Sequence, residues 1–245
     1  KYKAAQLVRA NWALKDACLA YGIPLLSGKD SMYVDGSLVG THGERHKVSG
    51  LATLQFTAVS VIPDVTRCRT LDFKFPGDLI YLLGLTRDEL GGSEYYDYLG
   101  YLGLNVPETD LAANLALYRA WMKAHEQNLM ASAKALCRGG LAVAVALSAL
   151  AAGLGAEMDL GLIPAVEGLG PPQRLFSEST GRFLVTVRPN EAARFEQIFA
   201  GLPAVRIGEV RPDGVISIKH EGRGLAELDL VQLRAAFNRP FGRLI

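Results

Sequence analysis

Pro76-Gly77-Asp78-Leu79-Ile80-Tyr81-Leu82-Leu83-Gly84 opens on a turn and runs into five large apolar residues without a break. Proline presets one turn dihedral and glycine accepts the next. An uninterrupted apolar run bounded by turn residues suits a strand buried on both faces. The stretch predicts a domain boundary between Lys74 and Gly77, with residues 1–75 on one side and 76–245 on the other.

C-terminal to this strand the sequence offers a glycine loop at Leu90-Gly91-Gly92-Ser93 and helical patterns over residues 110–137 and 141–152. A strand at 183–187 follows, then a helix over 190–199 with Asn190 as its cap. Strands at 205–210 and 215–220 flank Arg211-Pro212-Asp213-Gly214, which reads as a hairpin turn. N-terminal to the boundary, Leu7, Ala10, Leu14, Ala17 and Tyr21 recur at helical spacing and predict a helix over about residues 4–20. Gly22 closes it and Pro24 prevents its continuation. Ile23-Pro24-Leu25-Leu26 reads as a short buried strand, and residues 51–63, rich in Val, Ile, Thr and Phe with apolar alternation, form the longest strand signal in the chain. The fold class expected is α+β.

Charge and composition exclude several classes. With 26 Lys plus Arg against 25 Asp plus Glu, the net charge is +1 and the signs are interspersed, so no polyanion-binding surface is expected and nucleic acid is not a predicted partner. A hydrophobic share of 49% with 21% charged residues places the chain among folded proteins. The uncharged stretch 139–156 consists mainly of Ala and Gly. A membrane span needs about 20 strongly apolar residues, so a buried core helix is expected there and no membrane association. Cys18, Cys68 and Cys137 are widely spaced, fit neither a disulfide framework nor a thiolate zinc site, and are expected as small apolar core residues in a reducing, cytoplasmic setting. The chain starts on Lys1 and runs directly into helical pattern, so a piece of a longer protein is expected.

Ser27-Gly28-Lys29-Asp30-Ser31 is the densest polar cluster beside an apolar segment. Glycine lets backbone approach a ligand, lysine neutralises phosphate, aspartate holds a divalent cation, and serine donates to a phosphoryl or carboxylate oxygen. The string lacks the spacing of a Walker loop, and a solvated turn competes with the nucleotide reading. The Gly-Gly pairs at 91–92 and 139–140 could present N–H groups to an anion or simply permit close packing. Ser177-Glu178-Ser179-Thr180 adds a carboxylate and three hydroxyls. His42, Glu44 and His46 would share one face of an extended backbone, which raises a metal-dependent hydrolase as one alternative and a solvated loop as another.

Taken together, Gly22-Ile23-Pro24-Leu25-Leu26-Ser27-Gly28-Lys29-Asp30-Ser31-Met32-Tyr33, the 51–64 string, the Pro76 stretch, Glu89-Leu90-Gly91-Gly92-Ser93-Glu94-Tyr95, Arg138-Gly139-Gly140-Leu141 and Phe176-Ser177-Glu178-Ser179 are ordered as in the second half of the phosphoribosylformylglycinamidine synthase family, which the chain resembles over nearly its whole length. That family lies within the aminoimidazole ribonucleotide synthetase superfamily. The resemblance implies a partial N-terminal-type α/β domain over 1–75, followed by a C-terminal-type α+β domain over 76–245. It implies ATP-dependent conversion of formylglycinamide ribonucleotide to the amidine, using ammonia from a glutaminase domain or subunit, with ATP and Mg²⁺ as cofactors. Gly28, Lys29 and Ser31 would face the nucleotide and Asp30 the metal. No catalytic residue is expected within this chain, which alone would be inactive. The first half of the same enzyme, the glutaminase and a small-molecule substrate are the implied partners, and self-association of the chain stays open. A non-catalytic structural or nucleotide-binding module of the same superfamily is the main alternative. Where relatives carry Ser-Asp-Gly-Gly-Leu this chain has Cys137-Arg138-Gly139-Gly140-Leu141, so Arg138 is expected to pair with an anion or with Glu178, and the C-terminal domain to be more structural than catalytic.

Overall fold

The computed structural model describes residues 2–29, 35–50 and 53–239. The chain divides into two compact units, Lys1–Pro63 and Asp64–Ile245.

In the first unit, helix α1 (Tyr2–Tyr21) matches its apolar spacing. It ends where expected: Gly22 takes φ +68° and the Ile23 N–H returns to the Cys18 carbonyl at 3.0 Å. Strands β1 (Asp35–Val39) and β2 (Arg45–Ser49) form an antiparallel hairpin with Asp35 opposite Ser49. The expected strand at 23–26 is instead irregular and exposed, and so is the described part of the 51–63 signal. Leu51 and Ala52 lie outside the described residues. Val59 and Val61 are 84% and 90% exposed, and no described residue of this unit is buried. Alternation makes a segment fit to be a strand, but a strand exists only where a neighbour takes its N–H and C=O groups. The described residues of 53–62 belong to no strand of either sheet.

The second unit is built on a seven-stranded sheet, in the order β4 (Met130–Ala135), β6 (Phe183–Val187), β3 (Leu79–Leu83), β7 (Ala204–Arg211), β5 (Gly155–Asp159), β8 (Val215–His220), β9 (Arg223–Asp229). The expectation of α+β holds: every neighbouring pair is antiparallel except β5 and β8. Strand β3 is buried at all five positions because helices cover both faces. Ile80 and Leu82 join one core with α4 (Gly140–Ala152), α5 (Pro171–Phe176) and α7 (Leu230–Asn238). Leu79, Tyr81 and Leu83 join the other with α3 (Leu111–Glu126) and α6 (Ala192–Ile198). The Ala-rich stretch supplies α4, whose Leu141, Ala144, Val145 and Ala149 are buried. No described helix is long and apolar enough to cross a membrane.

Four readings change. The helical pattern over 110–137 stops at Glu126; Asn128 takes φ +59° and the chain returns as β4. Met-Ala-Ser-Ala-Lys-Ala has good helix propensity, but pairing with β6, including a 2.6 Å Ser132–Thr186 hydroxyl bond, decides its state. The turn at 211–214 exists, with Gly214 at φ +66°, yet β7 and β8 are not neighbours, because β5 lies between them. Asn190 sits inside a short 3₁₀ turn, and α6 begins after it without a side-chain cap. Cys68 and Cys137 are exposed rather than core residues.

Beyond β5, Asp159 accepts the N–H groups of Gly161 (2.7 Å), Glu221 (3.0 Å) and Gly222 (2.7 Å), which ties the end of that strand to the β8–β9 turn. Burial pushes its carboxyl up, but the three donors together outweigh burial and hold it below its ordinary value.

Leu82 is fully buried in the α4-side core. Leu82→Ala is expected to lower unfolding free energy by about 2–5 kcal/mol in urea titration, through lost burial and the cavity left behind.

Candidate functional site

Of the loop singled out in the first unit, Gly28 and Lys29 are exposed, and a Cβ on Gly28 would meet no described residue within 4 Å. Asp30 and Ser31 lie outside the described residues. His42, Glu44 and His46 gather around the β1–β2 turn. Glu44 accepts the His42 N–H at 3.1 Å and stands 3.4 Å from His46 Nε2. Its carboxyl is held below its ordinary value by backbone and histidine hydrogen bonds. The carboxylate thus serves as a turn brace, and no group of three or more His, Cys, Asp or Glu able to hold a metal occurs among the described residues. The metal-dependent hydrolase reading therefore falls.

The polar motifs of the second unit converge on one end of β3. The Gly-Gly pairs are there for close approach: a Cβ on Gly140 would stand 2.6 Å from the Ser177 carbonyl, and one on Gly91 would stand 2.8 Å from the Asn105 backbone. Gly140 also takes φ +60°. The N–H groups of Gly91, Gly92 and Gly140 return to backbone carbonyls, while two others in these loops meet a carboxylate of the chain itself. Glu178 Oε1 accepts from Gly139 at 2.8 Å and from Glu94, at the start of α2 (Glu94–Tyr98), at 3.0 Å. Arg138 pairs with Glu94 rather than with Glu178. Electrostatically this is an anion cradle whose anion is built in.

Beneath it lies Arg182, 1% exposed. Its guanidinium donates to Thr86 Oγ1 (3.0 Å), the Ser179 carbonyl (3.1 Å) and the Ser177 carbonyl. Burial pulls its pKa down to about 10, opposed by the fields of Glu89 and Glu178. Glu89, 5% exposed, accepts the Glu108 N–H at 2.9 Å. Ser179 Oγ accepts the Arg87 N–H at 3.0 Å and Ser177 Oγ the Glu89 N–H at 3.3 Å. Sequence reading picked out Glu178 and its serines but missed Glu89 and Arg182, which stand 93 residues apart in the chain (182 − 89). The available signal was a charge set directly before the apolar strand β6.

With the geometry in place, residues 76–221 match the family described as AIR synthase related protein, C-terminal domain. The chain belongs to that family. Similar proteins include the phosphoribosylformylglycinamidine synthase subunit PurL of Thermococcus sibiricus, 34% identical over 92% of this chain and 30% of its own length. The subunit of the same name from Leifsonia xyli subsp. xyli is 35% identical over 94% of this chain and 29% of its own. The chain thus spans about 30% of the length of these curated relatives. Among solved structures, T. maritima PurL complexed with FGAR superposes at TM-score 0.67 over 89% of this chain and 36% of its own, with 20% identity. That likeness establishes the AIR synthase-like fold.

As a member of this family the chain carries a C-terminal-type domain whose glycine loops are self-satisfied. Arg182→Leu is expected to cost about 3–5 kcal/mol in denaturant unfolding, because it strands the Glu89 and Glu178 charges and two carbonyls. Arg182→Lys should recover part of that by restoring charge without the fork. A loss below about 1 kcal/mol for Arg182→Leu would contradict the role given to the guanidinium.

Proposed function

We propose that the chain is part of a phosphoribosylformylglycinamidine synthase, the ATP-dependent ligase that forms an amidine in purine synthesis. The observation that carries this is sequence identity of 34–35% to subunits of that name across 92–94% of this chain. Residues 1–75 would be part of an N-terminal-type synthetase domain and 76–245 the C-terminal-type domain. In the reaction the amide oxygen of formylglycinamide ribonucleotide takes the terminal phosphoryl group of ATP, and ammonia displaces phosphate to leave the amidine. Gly28 would let backbone approach the nucleotide, while Lys29 and Ser31 would meet its phosphate oxygens. The carboxylate of Asp30 is the hard oxygen donor that Mg²⁺ takes, and Mg²⁺, when bound, offsets charge on the transferred group. The exposure of Gly28 and Lys29 supports this reading. The proposed partners are the first half of the same enzyme and a glutaminase domain or subunit, in the cytoplasm.

A second reading, a non-catalytic module of the same family, draws support from the second unit. Arg138 pairs with Glu94, and Glu178 fills the adjoining N–H cradle, which leaves these loops, among the described residues, without a carboxylate turned outward for a metal.

Calorimetric titration of Mg-ATP into the chain co-expressed with the first half of its parent enzyme separates the two. The ligase reading predicts that the chain alone shows no turnover, that the combination forms amidine, and that Lys29→Ala and Asp30→Asn each weaken ATP binding tenfold or more, about 1.4 kcal/mol. Nucleotide affinity unchanged in both variants would overturn the assignment of this loop.

A further inference from the structure

The hub of the second unit borders a cavity lined by several polar side chains without partners among the described residues, Glu89 and Arg87 among them. This cavity of about 110 Å³ opens between the end of β3, the following loop, the first turn of α3 and the loop after Ser177, and its lining includes Arg87, Glu89, Glu108, Asp110, Asn114 and Thr180. Two of these side chains are engaged within the chain, while those of Glu108 and Asn114 make no hydrogen bond or ion pair among the described residues. Asp110 accepts the Ala113 N–H at 3.0 Å, and Thr180 Oγ1 donates to the Glu108 carbonyl at 3.0 Å. Glu89 gives one oxygen to the Glu108 N–H, but its Oε2 is buried and has no partner among the described residues. A carboxylate oxygen in that position lacks a donor it would have had in water.

Arg87 is the complement. It is half-buried, its N–H is held by Ser179, and its guanidinium makes no hydrogen bond or ion pair among the described residues. The two side chains line one cavity without pairing with each other. The charge of Glu89 acts on the buried Arg182, so an occupant need not be a cation. What the cavity lacks is a donor for Glu89 and an acceptor for Arg87.

We propose that this cavity is a binding site for a small neutral group that donates and accepts at once, of the class of primary carboxamides, its NH₂ toward Glu89 and its carbonyl toward Arg87. The four non-hydrogen atoms of acetamide suit the volume. The site does not depend on the ligase reading, since it uses only residues of the second unit.

Titrating the ¹⁵N-labelled chain with acetamide tests it, with acetate and doubly capped glutamine as comparison probes. Acetamide is expected to shift the amide signals of Glu89, Glu108, Asn114 and Thr180, with a Kd on the order of millimolar for so small a ligand. Acetate can accept from Arg87 but offers Glu89 no N–H, so it should shift the Glu89 and Glu108 signals less than acetamide does. Glu89→Gln keeps an acceptor for Glu108 but turns the free oxygen into a donor, and Arg87→Met removes the opposing donor. Each should weaken binding about tenfold or more. Arg87→Met removes no side-chain hydrogen bond or ion pair to described residues and keeps most of the apolar stem, so it is expected to retain the fold even if Glu89→Gln does not. Capped glutamine binding alongside acetamide would sustain the proposal with a peptide side chain as the source, and acetamide binding alone would sustain it with a free small molecule. Signals unmoved by acetamide at about 100 mM, one hundred times the expected Kd, or an equal response to acetate, would overturn it.

Discussion

The carboxylate of Glu178 takes two N–H groups that glycine-loop geometry would otherwise hold out to an external anion. Backbone donors at a helix start cannot be left dry, and a chain meets that demand either with a ligand or with its own acid. Here the acid is internal, and its placement has consequences on both sides. Above it, Arg138 turns to Glu94. Below it, Arg182 must be buried to balance Glu178 and Glu89, and must in turn be fed by two carbonyls and a hydroxyl. The loops after β3, before α4 and before β6 are thereby held to one another, and the sheet order β4-β6-β3-β7 positions them.

This arrangement gives the two units different characters. The second has two apolar cores on either side of a strand buried along its whole length, and a polar end whose main donors are internally satisfied. The first has no buried described residue, and the apolar side chains at 53–62 are exposed. Exposed apolar alternation of that length is the surface expected of a segment that pairs elsewhere. A chain that spans about 30% of its relatives' length accords with that reading.

Much of the second unit was legible in the sequence because its decisive signals are local. The apolar run 79–83, the Ala-rich helix α4 and the strand β6 are each identified by composition and bounding turns. What escaped is set by partners distant in the chain. β4 is a strand only because β6 pairs with it, and β5 enters between β7 and β8 from more than forty residues upstream, counting from Asp159 to Ala204 (204 − 159 = 45). The 51–63 signal errs the opposite way: it has strand composition, yet its described residues belong to no strand. Of the candidate site, Glu178 was visible as part of a polar string. The Glu89–Arg182 cluster was not, because no spacing rule links residues that only the sheet brings together.

The most direct measurement of this account is thermal unfolding of the wild-type chain and Glu178→Ala with and without inorganic phosphate. If Glu178 stands in for an anion, the variant unfolds at a lower temperature and phosphate raises its midpoint while leaving the wild type unmoved. Equal stabilisation of both proteins by phosphate, or none of the variant, would contradict it.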